Sequence, residues 1–381
     1  MKPKEMSAST TKHRRIREHI ESLIASGRLI PGSQLPTDCQ LARQFAVSRP
    51  TVARAMQDLV NTGVLERRAG AGSFVLGKAF PRQHNMVGLL IPGLGETEIF
   101  EPICGKIAKS CPGHNFNLLW GDTPSEQTAT LGEKTIALCQ RYIDEKVLGV
   151  FWAPLELSET MDDTNYRIAE MLVQAGTAVV LLDRDYEKYP RRSRFDLIGI
   201  DNIRAGYTQA HHLLSHGVRR IVYFARKCSA STVTQRMIGF HAAKREHGII
   251  QEDWDVLLGD PQNPQLVQNL LALNPEAVVC ANDITAALLM RSLLDHGVEI
   301  PRDVRIIGID DVRYSNLFSV SLTTLHQPCA DIGAAAVAAM VRSIDHRKVP
   351  AQDVNLDCPL IVRESCGIRS DLVISLRKTN A

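Results

Sequence analysis

Apolar positions near the start of the chain recur at the three- and four-residue spacing of amphipathic helices. Residues 12–26 show this spacing at four positions: Ile16, Ile20, Leu23 and Ile24. The Thr37-x-x-Gln40 stretch has the form of a capping box, in which the two side chains satisfy free amides at a helix start. These patterns predict one helix over residues 12–26 and a second, short helix after Thr37, with Leu41 facing inward.

A third helix is expected to begin directly after Ser48. The Pro50 that follows is tolerated in a first turn, because its amide has no intrahelical acceptor there. Five apolar residues form the buried stripe: Val52, Ala55, Met56, Leu59 and Val60. Three polar side chains are left on or near the open face: Arg49, Arg54 and Gln57. A short helix, a tight connection and a helix with a polar start predict a helix-turn-helix, whose second helix reaches base edges in the major groove.

Two short stretches joined by glycines follow the third helix. Residues 64–68 and 73–75 flank the sequence Ala69-Gly70-Ala71-Gly72, which predicts a hairpin with a glycine-rich tip. Without side chains at Gly70 and Gly72, the backbone of this tip can approach phosphates or the minor groove. A small three-helix bundle with solvated arginines is the alternative for the helical spacing alone, and the hairpin favours a winged helix-turn-helix.

From Met86 onward, short apolar runs alternate with amphipathic segments. Eight runs predict strands: residues 86–91, 116–120, 148–152, 178–183, 197–200, 220–224, 277–280 and 304–309. The repeated strand–helix–strand order predicts parallel sheets covered by helices on both faces. A body of roughly 285 residues suits two such lobes better than one. The predicted fold class is therefore α/β, an N-terminal winged helix-turn-helix followed by a two-lobed parallel α/β domain.

Polar side chains follow several of the predicted strands. Parallel α/β sheets bind ligands at the carboxyl ends of their strands, and this sequence places Asp183, Asn282 and Asp310 there. Together with the guanidinium of Arg236, such carboxylates and amides form a polar cleft able to hold hydroxyl groups. The alternative for any one of the Asp and Asn residues is a helix cap, and we expect Asp283 to be one.

Composition and charge add a nucleic-acid contact to this picture. The formal net charge is +2, but residues 1–75 hold 12 Lys and Arg against 6 Asp and Glu. A small basic head of this kind is typical of proteins that contact nucleic acid. The apolar runs are too short to cross a bilayer, the N-terminus is unlike a secretory signal, and the nine cysteines form no CxxC pair. We therefore expect a cytoplasmic protein with reduced thiols and no membrane partner.

No cofactor, metal or catalytic residue is expected. Gly93-Leu94-Gly95 follows a predicted strand, but Glu98 stands at the third glycine position of a dinucleotide fingerprint. His211 and His212 are adjacent in a predicted helix and cannot face one ligand. The other Cys and His residues show no metal-ligand spacing, and no GxSxG stretch positions a nucleophile.

The stretch from about Arg14 to Val75 resembles the winged-helix domain of the GntR family. The match runs through SGRLIPGSQLPTDCQLARQFAVSRPTVARAMQDLVNTGVLERRAGAGSFV. The resemblance implies that Arg49 reads bases and that Ser48 and Thr51 contact phosphates. With the open helix face and the wing, the expected DNA-binding residues are Ser48, Arg49, Thr51, Arg54, Gln57, Gly70 and Gly72. Cys39 and Ala53 stand where the family often has arginine.

Blocks of the body resemble the effector domain of the LacI/GalR family, which implies a periplasmic-binding-protein-like fold for the two-lobed domain. They include VVLLDRD, QRMIGFHAAKREHGI and VRIIGIDD and extend over about residues 86–367. By motif position, the resemblance implies six effector-binding residues: Phe100, Asp183, Arg236, Asn282, Asp310 and Gln327. Phe100 stands where the family often has an aromatic over the sugar ring, and Glu96 and Glu98 are further candidates from the first lobe. A GntR-type head on a LacI-type body resembles the arabinose-responsive repressors.

The sequence thus predicts a sequence-specific DNA-binding transcriptional regulator, a repressor of carbohydrate utilisation controlled by a small sugar-like effector. The expected parts are a DNA-binding domain (1–75), a linker (76–85), an effector-binding and dimerisation domain (86–368) and a tail (369–381). We expect a homodimer on a pseudo-palindromic operator. Two alternatives stay open: a solute-binding component of a transporter, which cytoplasmic fractionation would exclude, and an α/β enzyme such as a kinase or dehydrogenase, which turnover assays would test.

Overall fold

In the computed structural model the chain divides into two compact units, Met1–His84 and Asn85–Ala381. The structure describes residues 7–25, 29–30, 32–61, 63–68, 72–76, 85–94, 98–121, 129–345 and 349–368. Most of the expected linker and the expected tail therefore lie outside the described residues, as do two candidate site residues, Gly70 and Glu96.

The described part of the first unit contains three helices and a two-stranded antiparallel sheet. The helices are α1 (Ser7–Ala25), α2 (Asp38–Gln44) and α3 (Arg49–Asn61), and the strands are β1 (Leu65–Arg68) and β2 (Gly72–Val75). The capping box before α2 is confirmed, since the Gln40 amide donates to Thr37 Oγ1 and the Thr37 amide donates to Gln40 Oε1. All three helices and both strands contribute to one apolar core: Ile16, Ile20, Leu41, Val52, Met56, Leu59, Leu65 and Val75.

The second unit contains two lobes, each built on a six-stranded sheet. The first lobe begins with β3 (Met86–Leu90), α4 (Phe100–Ser110), β4 (Asn117–Leu119), α5 (Leu131–Asp144), β5 (Gly149–Trp152), α6 (Met161–Gln174), β6 (Ala178–Leu182) and β7 (Asp196–Ile200). The second contains α7 (Asn202–Ser215), β8 (Ile221–Ala225), α8 (Ser231–Glu246), β9 (Val256–Leu258), α9 (Pro264–Ala272), β10 (Ala277–Cys280), α10 (Asp283–Asp295), β11 (Arg305–Asp310) and β12 (Thr323–His326). The chain then adds α11 (Cys329–Asp345) and β13 (Asp353–Leu356) to the first lobe and β14 (Leu360–Ile361) to the second.

The strand order is β13-β7-β6-β5-β3-β4 in the first lobe and β14-β12-β11-β10-β8-β9 in the second. Neighbouring strands are parallel except β14, which runs antiparallel to β12. Helices cover both faces of each sheet, which confirms the expected fold class. Three of the strands that the apolar pattern does not reveal, β9, β13 and β14, lie at sheet edges, where short and partly exposed strands lack a continuous apolar run.

The chain passes between the lobes three times. The crossings lie between β7 and α7, between β12 and α11, and between β13 and β14. Loops at the carboxyl ends of both sheets meet across a cleft, because the segments after β5 and β6 contact the segment after β8. Among the described helices, none combines the length and apolar character that crossing a bilayer requires.

Candidate functional site

Helix α3 has one polar face and one buried face. Arg49, Arg54 and Gln57 are exposed, whereas four apolar side chains on the opposite face are fully buried: Val52, Ala55, Met56 and Leu59. Val60, expected in the buried stripe, is half-buried. The two arginines therefore stand on the outer surface, where protein groups contact phosphates and base edges.

The start of α3 is organised by Ser48. The helix begins at Arg49, directly after Ser48, as expected. The carbonyl oxygen of Ser48 accepts from the amides of Thr51 (3.0 Å) and Val52 (3.3 Å), and the hydroxyl oxygens of Ser48 and Thr51 are 2.8 Å apart. Both hydroxyls thus lie at a helix N-terminus, whose partial positive charge attracts phosphate groups.

Two arginines of this unit contact residues of α2. The Arg49 guanidinium donates to Sγ of Cys39, and Arg67 of β1 forms an ion pair with Asp38. Exposed contacts of this kind add little to stability, so their main effect is on side-chain orientation. Cys39, at the position where the GntR family often has arginine, therefore limits the space that the Arg49 guanidinium can explore.

Gly72 is the first described residue after Arg68 in the wing, and it begins β2. Its φ of +105° lies in the left-handed region that favours glycine. A Cβ there would lie 3.0 Å from Nε2 of Gln34, the end of a flexible side chain, so the dihedral angle matters more than the space. In the partner strand, the Arg68 guanidinium lies 4.8 Å from the ring centroid of Phe74.

In the second unit, several expected effector-binding residues meet at the facing ends of the two sheets. Asp183 follows β6 in the first lobe, whereas Asp310 ends β11 and Gln327 follows β12 in the second. Nε2 of Gln327 donates to Oδ1 of Asp310 over 2.9 Å. The positive charge of Arg236 on α8 acts on both carboxylates. The structure therefore brings these four side chains together.

Arg236 is buried and held on two sides. Its Nε donates to Oδ1 of Asn202 (2.8 Å) and its Nη1 to the carbonyl oxygen of Ala281 (2.6 Å). Helices α7 and α8 pack closely enough for the first bond because Gly206 and Gly239 lie at their crossing. A Cβ at either glycine would lie 1.9 Å from a backbone oxygen of the other helix.

The two aspartates have unusual surroundings. Burial raises the pKa of Asp183 above its ordinary value, against the opposing charges of Arg184 and Arg236. Burial likewise raises the pKa of Asp310 well above 3.8, against the charge of Arg236. Their φ angles are +67° and +130°, and Asp311 has +55°. Left-handed backbone at non-glycine residues costs about 1–3 kcal/mol each and is concentrated at binding sites.

Asp283 does not cap α10, so that expectation is wrong. Asn282 is the cap, with its Oδ1 accepting from the Thr285 amide over 2.8 Å. Asp283 turns inward and accepts from the Thr324 hydroxyl (2.7 Å) and the Val312 amide (3.2 Å). Burial raises its pKa to about 7. Asn282, expected to contact the effector, thus already uses its side-chain oxygen within the fold, and its side-chain NH2 group is left for a ligand.

The first-lobe side of the cleft contains Arg184, which the sequence analysis missed. Its Nε donates to the carbonyl oxygen of Pro154 (2.8 Å), its Nη1 contacts Glu156, and its guanidinium lies 5.2 Å from the ring centroid of Phe100. Phe100, expected to cover a sugar ring, is 1% exposed and packs in the first-lobe core beneath that guanidinium. The Asp-Arg-Asp run after β6 was the only local signal for Arg184.

Glu98 precedes α4 in the first lobe and reaches the second lobe. Its carboxylate is half-buried beside Tyr314, where burial and then Glu98 raise the pKa of the tyrosine. Among the described residues, no group of three or more His, Cys, Asp or Glu side chains is arranged to hold a metal ion.

Comparison with known proteins decides the family. Residues 12–75 match the model for bacterial regulatory proteins of the gntR family, and residues 210–366 match that for a periplasmic binding protein-like domain. The HTH-type transcriptional repressor PurR of Mannheimia succiniciproducens is 31% identical over 285 residues, 73% of this chain and 80% of that protein. The chain therefore belongs to the family of bacterial transcriptional regulators that includes this PurR. The arabinose metabolism transcriptional repressor of Halalkalibacterium halodurans is 25% identical over 93% of this chain and 96% of its own length.

Solved structures agree with the fold of the regulator. The transcription regulator CcpA of Lactococcus lactis covers 74% of this chain and 98% of its own, with a TM-score of 0.62 and 22% identity. The regulator CelR, solved in complex with cellobiose, covers 83% of this chain and 90% of its own, with a TM-score of 0.63 and 21% identity. The protein is accordingly a DNA-binding transcriptional regulator and not an enzyme.

Proposed function

We propose that a small, uncharged, polyhydroxylated molecule of monosaccharide size binds between the lobes and controls operator binding by the regulator. The proposed site residues are the six expected from the sequence with Arg184 added: Phe100, Asp183, Arg184, Arg236, Asn282, Asp310 and Gln327. In this proposal Phe100 supports the Arg184 guanidinium from beneath, and Arg184 faces the ligand.

Two buried acceptor atoms carry the proposal. Oδ1 of Asp183 and Oε1 of Gln327 have no hydrogen-bond donor among the residues that the structure describes. A buried polar atom left without a partner costs about 1–3 kcal/mol, and a ligand hydroxyl supplies the missing donor. Arg236 donates to the protein through Nε and Nη1, and the rest of its five N–H groups suit ligand oxygens.

The charges favour a neutral ligand. The guanidiniums of Arg184 and Arg236 already face three carboxyl groups, those of Asp183, Asp310 and Glu156. About two further negative charges from a phosphate ester would therefore find no unpaired cation there among the described residues. Names of related proteins point to carbohydrates. The Halalkalibacterium halodurans relative is named for arabinose metabolism, and a LacI family regulator from Enterococcus faecium was solved with bound ribose.

For the DNA side, we propose that the regulator is a repressor that binds a pseudo-palindromic operator as a homodimer in the cytoplasm. Residues 1–75 would read DNA through Ser48, Arg49, Thr51, Arg54, Gln57, Gly70 and Gly72. Residues 76–85 would link them to the effector-binding and dimerisation domain (86–368), with 369–381 as a tail. Two heads in fixed geometry multiply affinity and read twice the sequence.

A thermal-shift screen of the full chain tests the effector proposal, with neutral pentoses and hexoses compared against their phosphate esters. A sugar present at 100 times its Kd stabilises the folded protein by about 2.7 kcal/mol. The Asp310→Asn variant should lose most of this shift, and the exposed Asp295→Asn variant should keep it. The sugar that binds should also change binding to an operator selected from genomic fragments. Larger shifts from phosphate esters, or an Asp310→Asn variant that responds normally, would contradict the proposal.

A further inference from the structure

Three hydrogen bonds join the lobes at one side of the cleft. The Leu157 amide of the first lobe donates to the carbonyl oxygen of Cys228 in the second over 2.7 Å. The Ala230 amide donates to Oε2 of Glu156 (3.2 Å), and the Ser231 hydroxyl donates to the carbonyl oxygen of Asp185 (3.1 Å). We call these bonds the clasp. Each of them exists only while the two loops of the first lobe touch the segment that precedes α8.

The backbone at the clasp is strained on both sides. Leu157 has a φ of +57° and Cys228 a φ of +54°, and these two residues are the partners of the shortest clasp bond. The left-handed region is costly for residues with a Cβ, by about 1–2 kcal/mol. Such strain persists only where surrounding contacts hold it. Here the bond between Leu157 and Cys228 contributes to holding it, together with the bond from the Ser229 hydroxyl to the Arg226 carbonyl oxygen inside the second lobe.

The clasp also ends at the effector site. Glu156, which accepts from Ala230, contacts Arg184 with its other oxygen. Ser231 is the first residue of α8, the helix that carries Arg236. A rotation that opens the lobes therefore breaks the clasp and, at the same time, moves Arg236 away from Arg184.

We propose that the clasp is a built-in closure device, whose strength sets how far the lobes are closed before any effector acts. Its bonds favour the closed arrangement and the left-handed residues oppose it. A ligand shifts such an equilibrium only by its differential affinity for the two arrangements. A weaker clasp therefore raises the effector concentration that the switch needs. This effect on effector concentration rests on the proposed function, whereas the closure device itself does not.

Hydrogen exchange of the full-length protein without any sugar tests the clasp. The reporter is the Leu157 amide, which is protected only when its bond to the second lobe is made. The control amide is Leu155, which donates to Oδ1 of Asn165 within the first lobe over 2.8 Å. If the Leu157 amide exchanges only when the lobes open, its exchange rate reports the population of the open form.

The Ser231→Ala variant removes one clasp bond. It should speed exchange at Leu157 by about 2–10-fold, the effect of one neutral hydrogen bond, and leave Leu155 unchanged. The matched control is Ser292→Ala, since the Ser292 hydroxyl donates to the Leu288 carbonyl oxygen inside α10 (3.1 Å). The Cys228→Gly variant removes the strain and should slow exchange at Leu157 by a few-fold, because glycine adopts positive φ without cost.

The proposal is overturned if Ser231→Ala leaves the Leu157 rate unchanged, or if Ser292→Ala has the same effect. Equal acceleration at Leu155 and Leu157 would also overturn it, because it indicates local unfolding of the first lobe. Slower exchange at the Leu157 amide is the expected result for Cys228→Gly. Faster exchange would contradict the idea that left-handed backbone at Cys228 opposes closure. None of these exchange measurements requires the sugar to be known. Failure of the clasp proposal can therefore be distinguished from failure of the effector proposal.

Discussion

Replacing Gly239 by alanine should force α7 and α8 apart and release Arg236. A Cβ at position 239 would lie 1.9 Å from the Ile203 carbonyl oxygen and 2.5 Å from the Tyr207 amide nitrogen, both of them backbone atoms. Ordinary contact needs about 3.5 Å, so the helices must separate by about 1.5 Å. That shift takes the 2.8 Å bond from Arg236 Nε to Asn202 beyond hydrogen-bonding distance.

The cost follows from these two effects. Overpacking costs about 1–3 kcal/mol, and losing a hydrogen bond of a charged group costs about 1.5–3 kcal/mol. Together they amount to about 2.5–6 kcal/mol, which lowers the melting temperature by about 5–12 °C at roughly 2 °C per kcal/mol for a large domain. The sugar-dependent shift should fall as well, because Arg236 no longer faces the cleft in its original position.

Melting curves of the full chain check this result. Gly105→Ala is the matched control, because nothing lies within 4 Å of a Cβ built at that position of α4. It should stabilise the protein by about 0.5–1 kcal/mol, as expected for alanine inside a helix. Gly206→Ala should behave like Gly239→Ala, and the double variant should lose less than the sum, since one separation relieves both clashes. A Gly239→Ala protein that melts like the wild type would refute the steric argument.

Three other predictions follow from single features. Arg49→Ala should lower specific operator affinity by about 1–3 kcal/mol and leave the sugar-dependent melting shift intact, which footprinting and thermal shift together check. Burial lowers the pKa of His212 to about 4 from 6.5, so its stabilising contribution is complete above pH 6.5 and is lost as the pH falls toward 4. Relative to His212→Asn, the wild type should therefore lose stability over that range in urea titrations. Lys244→Ala should cost about 3–5 kcal/mol by leaving the buried Asp255 carboxylate unpaired, whereas Lys244→Met with Asp255→Leu should cost much less in the same titrations.

Apolar spacing was enough to predict most elements of both units. Helix α3 begins after Ser48 and buries the apolar positions spaced for it, because a helix exposed on one side needs that spacing. Inner strands of a parallel sheet gave continuous apolar runs, since both their faces are buried, except β12, whose buried Thr323 and Thr324 interrupt the apolar pattern and which was missed. Edge strands such as β13, with its alternating exposed residues, leave no such run, and the sequence analysis missed them.

The cleft was only partly predictable. Asp183 and Asp310 were found because ligands of parallel sheets bind at strand ends. The assignment of Asp283 failed by one residue, since Asn282 takes the cap and turns Asp283 toward Thr324. Arg184 was missed because its partner Glu156 lies 28 residues earlier, a tertiary contact that no local pattern encodes.

The threefold passage of the chain between the lobes fixes the order in which the protein matures during synthesis. The head needs only the segment up to Val75 for its core, whereas the first lobe awaits β13 and the second awaits β14. At about 5–20 residues per second, the ribosome needs roughly 15–60 s to add the rest. During that interval the nascent chain can carry a folded DNA reader with no receptor to govern it. A premature stop before β14 would leave such a head without a complete receptor.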